Sequence, residues 1–246
     1  MSVDLNKYEG YELVWSEEFD SGKINTDIWD WEIGYIRNNE LQYYTDSPDN
    51  SYIEDNKLVI KTDKTDDEER PYLSASLYTK GKAFLYGRLE MRAKLPGDQG
   101  MWPAFWMLGK GFKDNSDWPE CGEIDIMEMV GGEFYLPYHG GRGVAQATVH
   151  YPDEAEGLSR SCELIDGGYD DDFHIFGIDW DENFIRFYVD DKVYNRINIK
   201  DIPQFHKEFF LIVNTAVGAW WAEDPDETTR FPQKYIIDWI RYYKKK

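Results

Sequence analysis

Apolar residues along this chain recur at every second position far more often than at every third or fourth. The stretches ELVWSEEF, NKLVIKTD, YLSASLYTK, AFLYGRLEMRAKL, WPAFWML and EIDIMEM follow this pattern. So do VAQATVHY, FHIFGIDWD, NFIRFYVDD, KVYNRINI, EFFLIVNTAV and KYIIDWIRYY. All are short and rich in β-branched and aromatic residues, and Gly, Asp and Asn turns such as DEN at 181–183 separate them. They predict strands almost everywhere and hardly any helix. The acidic run TDKTDDEER, 62–70, reads as a hairpin loop, and neither a repeat nor a low-complexity linker divides the chain. The expectation is an all-β fold, a two-sheet antiparallel sandwich forming a single domain over residues 1–246.

Alternation also separates faces. In AFLYGRLEMRAKL, Leu85, Leu89, Met91 and Leu95 share one side, and Phe84, Tyr86, Arg88, Glu90 and Arg92 share the other. Ala145, Ala147 and Val149 oppose Gln146, Thr148 and His150, while Trp102, Ala104 and Trp106 oppose Phe105 and Met107. Several strands thus carry a core side and a side richer in Trp, Arg and His than solvation requires. If those strands are neighbours, the second side is a groove of rings, donors and carboxylates. Sugar rings stack their C–H faces on Trp, and their hydroxyls seek Asn, Gln, Arg and carboxylate partners, so such a groove suits a polysaccharide.

The stretch CGEIDIMEMVG, 121–131, breaks the alternation. Glu123 and Asp125 point one way, but a regular strand would turn Glu128 to the other side, beside Ile124 and Ile126. Burying even a neutral polar group there without a partner costs roughly 2–7 kcal/mol. A β-bulge with its extra residue near Met127 resets the register and returns Glu128 to the groove face. Three carboxylates offset in this way, beside a Trp-rich face, point to paired-carboxylate chemistry on a sugar.

Composition narrows the partners. Apolar residues make up 41%, enough for a large core, and the 17% aromatic content with ten tryptophans exceeds what that core needs. A formal charge of −21 argues against nucleic acid and anionic membrane, and against a sulfated polysaccharide unless basic residues line the groove. No stretch is long and apolar enough to span a bilayer. MSVDLNKYEGY lacks the basic and apolar regions of a signal peptide, so either the protein is intracellular or an export signal lies outside this sequence. Cys121 and Cys162 either pair or stay free, and neither they nor the four histidines show metal-ligand spacing.

GEIDIMEMVG, with GMWPAFWML upstream, NNELQYYT near the start and IIDWIRYY near the end, resembles glycoside hydrolase family 16. The resemblance runs from about residue 12 to residue 243 and is strongest to the bacterial laminarinase (endo-β-1,3-glucanase) branch, with its bulged E-x-D-x-x-E signature. It implies a β-jelly-roll, concanavalin A-like sandwich and a retaining double displacement without a catalytic cofactor. By position, Glu123 is then the nucleophile, Glu128 the general acid/base, and Asp125 lies between them as a like charge that should help keep Glu128 protonated. The same resemblance makes Trp102, Trp106 and Trp118 sugar platforms, and Asn38, Arg88 and His150 hydroxyl partners, with Asn214 a further candidate. It also implies a structural calcium on the convex side, held by Asp238 and by the backbone carbonyl of Asn56, where the family usually has glycine. GAWW at 218–221 stands where relatives often have a Gly pair, which leaves Trp220 and Trp221 without a role.

The implied partner is a β-1,3-glucan, with mixed-linkage β-1,3/1,4-glucan as an extension, for a secreted or cell-surface monomer. Plainer readings stand beside these. Arg88 could form a sheet-face ion pair with Glu90 or Asp125, His150 could be a hydrogen-bonded strand histidine, and Asp238 could cap backbone amides without metal. The whole chain could be a non-catalytic, lectin-like glucan-binding module on the same sandwich.

Overall fold

The alternating segments pair into two sheets packed face to face. The structure, a computed structural model, describes residues 8–114, 117–133, 140–164 and 166–246. Its first strands are β1 (Tyr11–Glu17), β2 (Trp29–Glu32), β3 (Gln42–Tyr44), β4 (Ser51–Glu54), β5 (Lys57–Lys64) and β6 (Tyr72–Ser74). There follow β7 (Ser76–Thr79), β8 (Gly87–Lys94), β9 (Met101–Gly109), β10 (Glu123–Glu128), β11 (Val144–Tyr151) and β12 (Glu154–Glu163). The last are β13 (His174–Trp180), β14 (Phe184–Val189), β15 (Lys192–Asn198), β16 (Phe209–Val217) and β17 (Gln233–Lys245). Helix among the described residues amounts to 3-10 turns at Lys110–Asp114 and Pro203–His206 and one α-turn, α1 (Ala219–Ala222).

A seven-stranded front sheet runs β12-β11-β10-β9-β16-β7-β2. The ten-stranded back sheet runs β15-β14-β13-β8-β17-β5-β6-β3, with β1 added on β17 and β4 on β5. Among the described residues the strand pairings are antiparallel, except β3 with β6. Tyr11 of β1 faces Lys245 of β17, and the Lys246 amide donates to the Gly10 carbonyl at 3.0 Å.

Between the sheets lies one large apolar cluster. The front sheet supplies Phe105, Met107, Ile124, Ala145, Ala147 and Val149; the back sheet supplies Leu89, Met91, Ala93, Ile178 and Ile237. Burying each of the larger side chains is worth about 1.5–3 kcal/mol, so the core faces read from alternation are what fixes each strand's orientation. Cys121 and Cys162 are buried and unpaired.

The break in alternation on β10 is a bulge. Against β9, Asp125 pairs with Trp106 and Met127 with Phe105, so one residue, Ile126, is extra. Against β11, Asp125 pairs with Thr148 and Glu128 with Gln146, again one residue too many on β10. Ile126 and Met127, consecutive in sequence, both sit in the core, and Glu128 rejoins Glu123 and Asp125 on the outward face. The extra residue falls one position before Met127.

Other expectations shift. YLSASLYTK is two strands, because the chain crosses at Ala75 from the back sheet (β6) to the front sheet (β7). β12, EAEGLSRSCE, escapes the pattern because it is an edge strand rich in charged and polar residues, the composition that blunts an edge. Phe84 belongs to the core and not to the polar side, since positive φ at Tyr86 (55°) and Gly87 (102°) interrupts the alternation before β8.

Arg88 also requires correction. Its strand, β8, lies in the back sheet, and with Leu89, Met91 and Ala93 turned into the core Arg88 faces away from the front sheet. There Nε donates to Glu90 Oε1 at 2.8 Å and Nη1 to Asp179 Oδ2 at 3.0 Å, while the guanidinium lies 4.0 and 4.1 Å from the ring centroids of Tyr8 and Tyr188. It is an ion-pair and ring-stacking residue, not a hydroxyl partner in the groove. Alternation tells which residues share a side of a strand but not which sheet that strand joins.

Candidate active site

The outward face of the front sheet forms an open pocket. Its floor is the bulged strand β10 with β9 and β16: Glu123, Asp125 and Glu128, then Trp102, Ala104 and Trp106, then Asn214 and Ala216. The β2–β3 connection closes one flank with Arg37, Asn38 and Glu40. Asn38 and Asn39 hold positive φ, 56° and 53°, a backbone conformation that asparagine tolerates better than most residues, which is what the consecutive asparagines of NNELQYY provide.

The three carboxyls differ in state. Burial pushes the Glu123 carboxyl up, but the His150 ring, a hydrogen bond from Asp125, the Trp118 indole and the Arg37 guanidinium all act against that rise. Trp118 Nε1 donates to Glu123 Oε2 at 2.8 Å. Asp125 is raised well above the usual carboxylate range by burial, then by the charge of Glu123 and by the hydrogen bond it gives Glu123. Of the two, Asp125 holds a proton more tightly than Glu123. Glu128 is also raised well above the usual range, by burial first and then by Asp125 and Glu123, with the Trp102 indole opposing.

The predicted site residues divide into several kinds of role. Trp102 is 9% exposed, donates from Nε1 to Glu128 Oε1 at 3.0 Å, and meets Trp221 edge-to-face at 5.0 Å, which gives Trp221 a packing role. Trp118, 45% exposed, stands over the groove with its ring 5.8 Å from that of His150. Trp106 is 6% exposed, and the Arg37 guanidinium lies over its ring at 5.0 Å. His150 Nε2 lies 3.2 Å from Asp125 Oδ2, and Nδ1, facing the Ala155 carbonyl at 2.9 Å, must carry the hydrogen. Asn214 is committed inward: Oδ1 accepts from Trp106 Nε1 at 2.7 Å, and Nδ2 donates to the Tyr44 hydroxyl at 2.9 Å. Asn38 Nδ2 donates to Glu40 Oε1 at 3.2 Å.

Arg37 and Glu40 line the pocket without having been expected there. Glu40 is 7% exposed, raised by burial, and takes the Gln42 amide at 2.6 Å. No periodic pattern runs through their loop. The only signal was the charged residues on either side of the asparagine pair in RNNELQYY.

Asp238 lies on the back sheet, at a bulge between Ile237 and Trp239, and accepts from Arg92 Nη1 at 2.6 Å. Asn56, with φ 57°, turns the β4–β5 hairpin. A calcium ion here would have to compete with a guanidinium already neutralising the carboxylate, so these residues fit the implied metal poorly. Among the described residues, the cluster of three potential ligand atoms within 4.8 Å of one another is Glu123, Asp125 and His150. All three are already engaged in the contacts above.

Three carboxyls on one bulged strand, at the floor of an aromatic-edged groove in a β-sandwich, fit a glycosidase. The model for glycosyl hydrolases family 16 matches residues 38–241, and the chain belongs to that family. It is 37% identical to a beta-glucanase of Rhodothermus marinus, over 97% of this chain and 87% of that protein. It is 32% identical to glucan endo-1,3-beta-glucosidase A1 of Niallia circulans, over 96% of this chain but only 38% of that longer protein. The laminarinase catalytic domain of Thermotoga maritima superposes with a TM-score of 0.86 at 41% identity, covering 96% of this chain and 99% of that one.

Proposed function

We propose that residues 1–246 form a single catalytic domain of a retaining endo-β-1,3-glucanase that hydrolyses laminarin-type glucan. The observation that carries this reading is the bulge on β10, which sets Glu123, Asp125 and Glu128 on one face of a pocket beside Trp102 and Trp106. Glu123 attacks the anomeric carbon as the Glu128 carboxyl protonates the departing glycosidic oxygen, and a covalent glycosyl-enzyme forms. Glu128, now a carboxylate, takes a proton from water, and the resulting hydroxide equivalent releases the sugar and regenerates Glu123. Asp125, neutral and donating to Glu123, steadies the nucleophile before attack. Trp118 offers an exposed ring on which a glucosyl unit stacks.

The names of the relatives support β-1,3-glucan as the substrate class, and mixed-linkage β-1,3/1,4-glucan is the natural second substrate to assay. We place the enzyme outside the cell, where such polymers occur, acting as a monomer; no helix among the described residues is long and apolar enough to cross a membrane. Reducing-sugar release from laminarin, with the anomer of the first product followed by NMR, tests the reading. Release of β-anomers as a ladder of internal fragments is expected. Binding without release indicates the lectin-like alternative, and α-anomers rule out a retaining step.

The calcium reading of Asp238 and Asn56 receives less support than the Arg92 ion pair. Complete chelation with EDTA is expected to leave the melting temperature unchanged, and a drop that calcium restores would reinstate the metal.

A further inference from the structure

Arg37 is held from two sides. Nη2 pairs with Glu32, whose Oε2 also accepts from Ser76 Oγ at 2.6 Å, and the guanidinium carbon sits 5.0 Å from the centre of the Trp106 ring. Trp106 is itself fixed through Nε1 to Asn214 at 2.7 Å. Held in this way, the planar fork has little rotamer freedom left to lose. Nη1 is buried and has no hydrogen-bond partner among the described residues. Arg37 lines the same pocket as Glu123, Asp125 and Glu128, and its positive charge is felt by Glu123. A buried N–H without an acceptor, on a side chain that lines this pocket, calls for a partner, and a ligand hydroxyl would supply one.

We propose that Arg37 is a substrate-binding residue, whose Nη1–H donates to a ring hydroxyl of the glucosyl unit seated between Glu123 and Trp106. The inference rests on the glucanase reading, which supplies the hydroxyl-bearing ligand. A hydrogen bond from a charged donor to a neutral hydroxyl is stronger than a neutral pair, so it would select the position and configuration of that hydroxyl and not merely retain a sugar. The competing account is that Arg37 serves only to tie the β2–β3 loop, through Glu32, onto Trp106.

Steady-state kinetics of Arg37→Met and Arg37→Lys, on a laminari-oligosaccharide and on its singly deoxygenated analogues, decide between these accounts. With the intact oligosaccharide, Arg37→Met should lose about 10- to 100-fold in kcat/KM. On the analogue lacking the bonded hydroxyl, which wild type should already handle poorly, the same substitution should cost less than about threefold. The acid limb of the Arg37→Met pH profile should move to higher pH, because Glu123 loses a neighbouring positive charge. Arg37→Lys should restore that limb without restoring discrimination among the deoxy analogues.

Equal losses on every substrate with an unmoved acid limb would reduce Arg37 to a loop tie. If Arg37→Met does not fold, Arg37→Lys decides alone, since wild-type discrimination surviving in it would overturn the proposal. Failure of wild type to cleave laminarin defeats the glucanase reading instead. Wild-type cleavage with an unaffected Arg37→Met defeats the Arg37 assignment alone.

Discussion

Trp102 Nε1 donates to Glu128 Oε1 across 3.0 Å, and that bond favours the ionised form of a carboxyl whose surroundings otherwise keep it protonated. Burial and the negative charge of the Glu123–Asp125 pair prevail before the reaction, while the indole makes the acid readier to give its proton up. Trp102→Phe keeps most of the packing against Trp221 and removes the donor. Glu128 then becomes a weaker acid, so kcat should fall about tenfold and the basic limb of the kcat/KM profile should move to higher pH. A basic limb that stays in place or moves down would confine Trp102 to packing.

Glu123 and Glu128 should fail differently when truncated. Glu123→Ala is expected to lose several powers of ten in rate on every substrate while still binding glucan through Trp118. Glu128→Ala should retain turnover of aryl glucosides with good leaving groups and recover with added azide, because only proton transfer is missing. Azide rescue appearing in Glu123→Ala instead, with a change in product anomer, would exchange the two assignments.

Holding Glu128 protonated has a stability consequence whose sign follows from linkage. The unfolded carboxyl ionises near about pH 4.3, and the folded one only at higher pH. As pH rises between those values the unfolded chain binds fewer protons than the folded one, so stability is lost across that window. Glu128→Gln cannot ionise and escapes the loss. Its melting temperature near pH 7 should exceed that of wild type by at least about 2 °C, and the gain should vanish near pH 4. A gain of the same size at both pH values would trace to packing.

The bulge can be removed by deleting one residue. Without Met127 the strand reads EIDIEM, in which plain alternation already places all three carboxylates outward and both isoleucines inward. The fold should persist, with stability lower by about 1–3 kcal/mol from lost Met packing. Activity should fall about 100-fold, since a displacement near 1 Å is enough to misalign a catalytic carboxyl. Full activity in the deletion variant would mean that the bulge does not set the catalytic geometry.

Much of this was legible in the sequence because a buried face leaves a period-2 record. The sides of β9, β10 and β11 read correctly, and the offset between Asp125 and Glu128 revealed the bulge before any register was known. What alternation lacks is any mark of sheet membership. Arg88 therefore looked like a groove residue until β8 took its place between β13 and β17. The flank of the pocket was hidden for another reason: Arg37 and Glu40 lie in a connection where positive φ at Asn38 and Asn39, not periodicity, sets side-chain direction. The short strands β2, β3 and β4 hold too few residues for any period to register.

The first and last described strands, β1 and β17, zip together along the back sheet. Gly10 and Lys246 are joined by a backbone hydrogen bond, and that junction sits in the sheet that carries no catalytic residue. New ends opened in an exposed turn such as 65–70 would leave β9, β10 and β16 unrerouted, because that turn joins strands of the other sheet.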